Sequence, residues 1–320
     1  MDSHRIDVQH HILPQGYVSK LASLGITKAF GVDLPAWSPE TTLAAMDRLG
    51  IQTAVACVSA PGFYFGDATF TRKLVRQCNE ESASLVASEP TRFGMFAGLP
   101  LPDVQSTLDE IEYSMDTLQL DGICHFSNYD GIYLGDPRFD EAYAELNRRK
   151  AVVYVHPEDP PYASPLPQVP AYLSEVRYET TRAIINWIYS GAAERYPDIR
   201  FIFAHAGGTA PYLAWTIATG SFTIPGAKDK APQGTLAYMK RYCYDTGLCG
   251  TPFALRTLQE LVGPSQILYA TDFPFCPEPL IQTQREILQS YDGFDDETLQ
   301  LIERGNALSL FPRIAGLVTE

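Results

Sequence analysis

Short, almost continuously apolar runs recur along the chain, each followed by a longer stretch in which apolar positions return at helical spacing. The runs predict strands at Arg5–His11, 54–59, 93–99, Gly122–Phe126, Val152–His156, 201–205, 243–246 and 267–272. Several are apolar throughout rather than alternating, the pattern of parallel strands buried on both faces. Helical patterns lie between them at Pro39–Leu49, 69–87, 104–118, 137–149, 172–195, 209–219, 252–261 and 278–290. Pro39 and Pro252 sit where a first helical residue belongs, each behind a Ser or Thr that can cap the helix.

Alternating strands and helices predict an α/β architecture. Four of the strands end on a metal-type or proton-transfer side chain, and their spacing selects a closed (β/α)₈ barrel over an open sheet. His11 and His156 are 145 residues apart, and His205 and Asp272 are 67 apart. A barrel unit of roughly 31 residues before insertions makes these about four and about two units. The polar strand ends then fall on strands 1, 5, 6 and 8, which share one mouth of a single barrel domain spanning 1–320. No glycine-rich phosphate loop follows the first strand. Two loops leave the same end: residues 16–37, mixing Gly, Pro and aromatics, and the proline-rich 158–170 after His156.

Composition narrows the partners. A net charge of −14 argues against nucleic acid or an anionic membrane, which both require basic surfaces. An acidic substrate would need a local positive centre such as a metal. The six cysteines form no Cys-x-x-Cys pair, and Cys57 and Cys124 lie in apolar runs as small buried hydrophobes. No secretory signal and no apolar run of about 18 residues is present, so a reducing, cytosolic location is the default expectation.

The candidate chemistry sits at the strand ends. Side chains at i and i+2 of a strand share a face, so Gln9 and His11 point the same way and His10 points outward. Gln9 offers a neutral amide oxygen, a weaker ligand than an imidazole for Zn²⁺, and hydrogen bonding at the barrel mouth is the other reading of this pair. His156 ends an apolar strand at Pro157, and His205 precedes Ala206-Gly207-Gly208, where backbone can approach a ligand closely. Asp272 ends another apolar strand, and a carboxylate there costs several kcal/mol unless paired or bound to a cation.

At these residues the chain resembles the metal-dependent decarboxylases of the amidohydrolase superfamily, the group containing aminocarboxymuconate semialdehyde decarboxylase and the fungal methylsalicylate decarboxylases. The resemblance runs through residues 6–14, 46–53, 78–82, 133–135, 152–157, 179–182, 190–191, 205–211 and 270–274. It is closest to the methylsalicylate branch, through Tyr133-Leu134-Gly135 and no obvious arginine between Gly16 and Trp37. It implies a distorted (β/α)₈ TIM barrel with Zn²⁺, or alternatively Mn²⁺, at its mouth. By position it implies Gln9, His11, His156 and Asp272 as metal ligands, His205 as the catalytic histidine beside them, and Glu179 as a carboxylate holding His205 in its useful tautomer. Asp245 is taken as structural. A homodimer is implied as well.

The activity so implied is non-oxidative decarboxylation of a small ortho-hydroxy aromatic acid, with Asp272 relaying a proton to the ring. Tyr17, Phe30, Trp37 and Phe63 are the aromatic candidates to wall that ring, with loop packing as their other reading. Two alternatives differ in kind. One is a metal hydrolase of a lactone or amide. The other is a metal-free barrel that performs acid–base cyclisation or addition, or only binds a ligand.

Overall fold

The structure, a computed structural model, describes residues 4–160, 166 and 168–318. Eight parallel strands stand side by side in chain order. They are β1 (Arg5–His11), β2 (Ile51–Cys57), β3 (Phe93–Ala97), β4 (Gly122–Phe126), β5 (Val152–His156), β6 (Arg200–Phe203), β7 (Cys243–Asp245) and β8 (Ile267–Leu268). Three match the strands read from the sequence residue for residue, and β6 to β8 are shorter than expected because the chain leaves the sheet to build the mouth.

Closure comes from the first strand and the last. The Val8 N–H donates to Tyr269 O at 3.0 Å, the Asp272 N–H to Gln9 O at 2.8 Å, and the His11 N–H to Phe273 O at 2.7 Å. These bonds satisfy the edge of β1 and make the eight strands a barrel with helices around it. The β1–β2 register shifts between Asp7 and His10, a local irregularity beside the site.

Alternation sorts the strand side chains between the barrel interior and the helices. On β5, Tyr154 faces inward, stacking on Phe96 at 5.2 Å and donating its hydroxyl to Asp245 Oδ2 at 2.9 Å. His156, two residues on, shares that face. Phe201 on β6 faces the other way and meets Trp187 of the helix Glu175–Tyr189 at 4.9 Å. The Pro39–Leu49 helix is capped as expected: Ser38 accepts the Thr41 N–H, and Thr41 answers in a reciprocal box. Thr251 makes no such bond to the Pro252–Gln259 helix. Part of the proline-rich 158–170 loop (161–165 and 167) lies outside the described residues. No helix among the described residues is long and apolar enough to cross a membrane.

Candidate active site and metal centre

The seam between β1 and the segment after β8 builds the centre of the mouth. Because Gln9 and His11 project from one face of β1, stitching that strand to residues 269–273 sets both against the Asp272 carboxylate. Asp272 itself has φ +63°, a left-handed backbone that costs a non-glycine residue of order 1 kcal/mol. The flanking hydrogen bonds of the seam hold it there. His205 and Ala206 are also left-handed, at φ +56° and +55°, so the chain turns sharply as it leaves β6. Gly208 completes the turn, since a Cβ there would lie 2.1 Å from Arg177 O. Asp245 pins this turn by accepting the His205 N–H at 2.8 Å and the Gly247 N–H at 2.9 Å.

Asp7 organises the other side of the seam. Its carboxylate accepts the Gln9 and Thr271 N–H groups, the Thr271 hydroxyl and His10 Nδ1. His10 thus turns away from the mouth, as the strand period predicts, and stacks on Phe273.

Within the centre, His11 Nε2 lies 3.0 Å from Asp272 Oδ1, and His205 Nε2 lies 3.5 Å from Asp272 Oδ2. The His156 ring stands edge-on to His11 at 4.9 Å. One ligand-type atom each from His11, His156 and Asp272 fall within 4.8 Å of one another, and all three residues are buried. His156 Nδ1 donates to Pro157 O at 2.7 Å, which leaves its Nε2 as the lone-pair nitrogen. Behind His11, Cys57 Sγ sits 3.5 Å from Nδ1.

The electrostatics suit a cation. Burial alone would raise the Asp272 carboxyl, but hydrogen bonds from His11 and His205 outweigh it and hold the group well below the usual carboxylate range. Burial pushes His156 well below its ordinary value, with the neighbouring His11 and His205 adding to the effect. His205 is depressed to about 4, by burial and then by the Arg177 charge. The Asp272 carboxylate beside the His11 and His156 imidazoles is a donor set that fits a divalent metal.

Over this centre opens a cavity of about 200 Å³, walled by Phe30, Tyr172, Val176, Phe275 and Leu280, with Arg177 at its side. A family profile described as amidohydrolase matches residues 6–313. The chain belongs to the amidohydrolase family. This amidohydrolase is 32% identical to the 6-methylsalicylic acid decarboxylase of Penicillium expansum over 98% of each chain. It also resembles a solved structure described as amidohydrolase II, at TM-score 0.89 and 28% identity, covering 96% of this chain and 99% of the other. A dihydroxybenzoic acid decarboxylase from Polaromonas sp. JS666, solved with bound manganese, superposes at TM-score 0.80 over 98% of this chain and 97% of that one. That pair is 21% identical, so the last likeness bears on the fold alone.

In this amidohydrolase Gln9, Glu179 and three of the four aromatic candidates make contacts other than the first ones expected of them. Gln9 reaches the centre, but with its amide nitrogen: Nε2 donates to Asp272 Oδ1 at 3.0 Å and lies 3.0 Å from His205 Nε2. In this arrangement the Gln9 amide nitrogen, rather than its oxygen, faces the Asp272 carboxylate, which is the hydrogen-bonding reading of the residue at the barrel mouth. Its Oε1 is buried without a partner, turned toward Gly247, where a Cβ would come within 1.9 Å of it.

Glu179 does not hold His205. Its oxygens accept from Ser127, Asn128, Tyr133 and Arg182, tying the helix Glu175–Tyr189 to the loop that carries Tyr133-Leu134-Gly135. The same loop is fastened by Asn186 Nδ2 donating to Leu134 O at 2.9 Å, and a Cβ on Gly135 would lie 2.8 Å from Trp187 Cα. The motif is therefore a packing device, and Asp245, through the His205 backbone, is the carboxylate that positions the histidine.

Of the four aromatic candidates, Phe30 lines the cavity. Tyr17 instead donates its hydroxyl to Gly62 O at 2.7 Å and packs edge-on to Phe63. Phe63 borders a different hollow with Phe126 and Glu158, and Trp37 lines one with Ile12 and Pro39. Asp7, not among the expected site residues, carried a readable signal, a carboxylate inside an apolar strand, and Asp245, taken as structural, carried the same one. Arg177, Tyr172 and Phe275 carried none.

Proposed function

We propose that this protein is a metal-dependent, non-oxidative decarboxylase of a small ortho-hydroxy aromatic carboxylic acid. The observation that carries the reading is Asp272: an ionised, buried carboxylate, hydrogen-bonded by His11 and Gln9, at the floor of a small apolar cavity. His11, His156 and Asp272 would hold the metal, with Zn²⁺ proposed over Mn²⁺ on the two-imidazole, one-carboxylate donor set. When bound, the metal supplies Lewis acidity and a template for the carboxylate and its neighbouring ring oxygen.

The chain's own groups do the rest. Phe30, Val176 and Phe275 receive the ring and keep water from it. Asp272, held ionised, takes the proton released by the ring hydroxyl and returns it to the ring carbon that bears the carboxylate. That carbon gains a C–H bond, the C–C bond to the carboxylate breaks, and its electron pair restores the aromatic ring as CO₂ leaves. His205, uncharged near neutral pH, fixes Asp272 Oδ2 for both transfers, and Asp245 fixes His205.

The test is product analysis with 2-hydroxybenzoic acids in ¹⁸O water. Stoichiometric CO₂ with no solvent oxygen in the phenolic product is expected, and Asp272→Asn should reduce turnover by about a thousandfold or more. Solvent oxygen in the product would mean hydrolysis, and full activity in chelator-stripped protein would remove the metal from the reaction. A homodimer is proposed as the working assembly, supported by the exposed aromatic side chains Tyr212, Trp215 and Phe222. Sedimentation at a monomer's mass would refute it. Six free thiols suit a reducing compartment, and a cytosolic location is proposed on that ground.

A further inference from the structure

Resting on the decarboxylase reading, we propose that Arg177 is the specificity residue of the cavity: it holds a second acidic substituent on the substrate ring, distinct from the carboxylate lost as CO₂. Arg177 lies in the first turn of the helix Glu175–Tyr189 and is the one Lys or Arg among the described residues lining the cavity. Its Nη2 donates to Leu248 O at 3.4 Å and Cys249 Sγ at 3.9 Å. These long contacts to uncharged atoms locate the guanidinium without neutralising it. Among the described residues no carboxylate forms an ion pair with it, whereas Arg182, on the same helix, is paired with Glu179 at 2.6 Å.

An unpaired guanidinium, half-buried beside apolar walls, is stabilised by an anion that enters with the ligand, and its planar fork matches a carboxylate. The position also separates two roles. Arg177 touches the loop after β7, and its field is felt at His205, Cys249 and Cys276. The ligand-type atoms of His11, His156 and Asp272 lie within 4.8 Å of one another, a compact set that one ortho-hydroxy carboxylate would occupy, while Arg177 lines the same cavity as Asp272. A single ring anchored at the floor by its ortho-hydroxy carboxylate therefore presents a different ring position to Arg177. In a chain of net charge −14, this local cation also attracts a diacid that the overall field repels.

The experiment compares 2-hydroxybenzoate with 4-hydroxyisophthalate, the same ortho-hydroxy acid bearing a second carboxylate, on metal-loaded wild type, Arg177→Met and Arg177→Lys. Arg177→Met is expected to raise KM for the diacid by about tenfold or more, with KM for the monoacid within about twofold and kcat little changed. Arg177→Lys should recover part of the loss. Equal effects on both acids, or none on the diacid, would overturn the proposal. Calorimetric binding of isophthalate and benzoate, which require no turnover, separates the two readings. Arg177-dependent preference for isophthalate in a protein that releases no CO₂ would sink the decarboxylase reading alone. No preference in an active decarboxylase would sink the Arg177 proposal alone.

Discussion

Replacing Gln9 by His asks whether the amide excludes a fourth protein ligand. The Gln9 side chain already ends 3.0 Å from Asp272 Oδ1, and its flank is open because residue 247 is glycine. An imidazole in that place brings a lone pair where the amide brings an N–H. A four-ligand zinc site is worth about 10–16 kcal/mol, so one added ligand contributes about 3 kcal/mol. Against this stands the lost bond to an ionised carboxylate, worth about 1.5–3 kcal/mol. The difference, about 1 kcal/mol, corresponds to about fivefold tighter metal binding. Competition with a fluorescent chelator, run for Zn²⁺ and Mn²⁺ on refolding-competent protein with unchanged circular dichroism, measures it. Unchanged or weaker affinity in Gln9→His would refute the assignment of Gln9 as a donor standing at a ligand position.

Asp245 supplies a pH test. Burial pushes its carboxyl up to about 7, above the ordinary 3.8, although bonds from Gly247, Tyr154 and His205 pull the other way. Between those values the folded protein keeps a proton that the unfolded chain has released, so this group's contribution to stability falls as pH rises from about 4 to about 7. Asp245→Asn is neutral throughout and can still accept both backbone N–H groups. Its thermal midpoint relative to wild type should therefore be higher at pH 8 than at pH 5, and a pH-independent difference would contradict the shift. Glu179→Gln should cost about 2 kcal/mol in denaturant unfolding by weakening the bonds to Arg182 and Tyr133, while the pH–rate profile keeps its shape. A moved profile would restore a role for Glu179 at His205. Phe30→Ala should raise KM by about tenfold and Trp37→Ala should leave it within about twofold, and steady-state assays giving the reverse order would misplace the ring.

Much of the site was legible because strand periodicity is local. Gln9 and His11 share a face at i and i+2 whatever the rest of the chain does, and a carboxylate ending an apolar strand, as Asp272 does, needs a partner in any fold. What each polar atom touches was not local. Gln9 reads from sequence as a poor ligand. It becomes a donor once the barrel closes and an ionised carboxylate stands against its amide. Glu179 lies at a position that suggested contact with His205, yet the helix turns it toward the loop at Tyr133. Asp245, read as structural, turns out to hold the His205 backbone.

By itself, then, the sequence determined the order of eight buried parallel strands, the mouth they share, and four side chains aimed at it, since apolar runs, period-two alternation and the cost of burying charge act within short segments. The tertiary structure decided the bond pattern among those side chains, the left-handed turns at His205 and Asp272, and the cavity with Arg177 at its wall. Those depend on contacts between residues such as Gln9 and Asp272, 263 positions apart, whose geometry exists only when the first strand is hydrogen-bonded to the last.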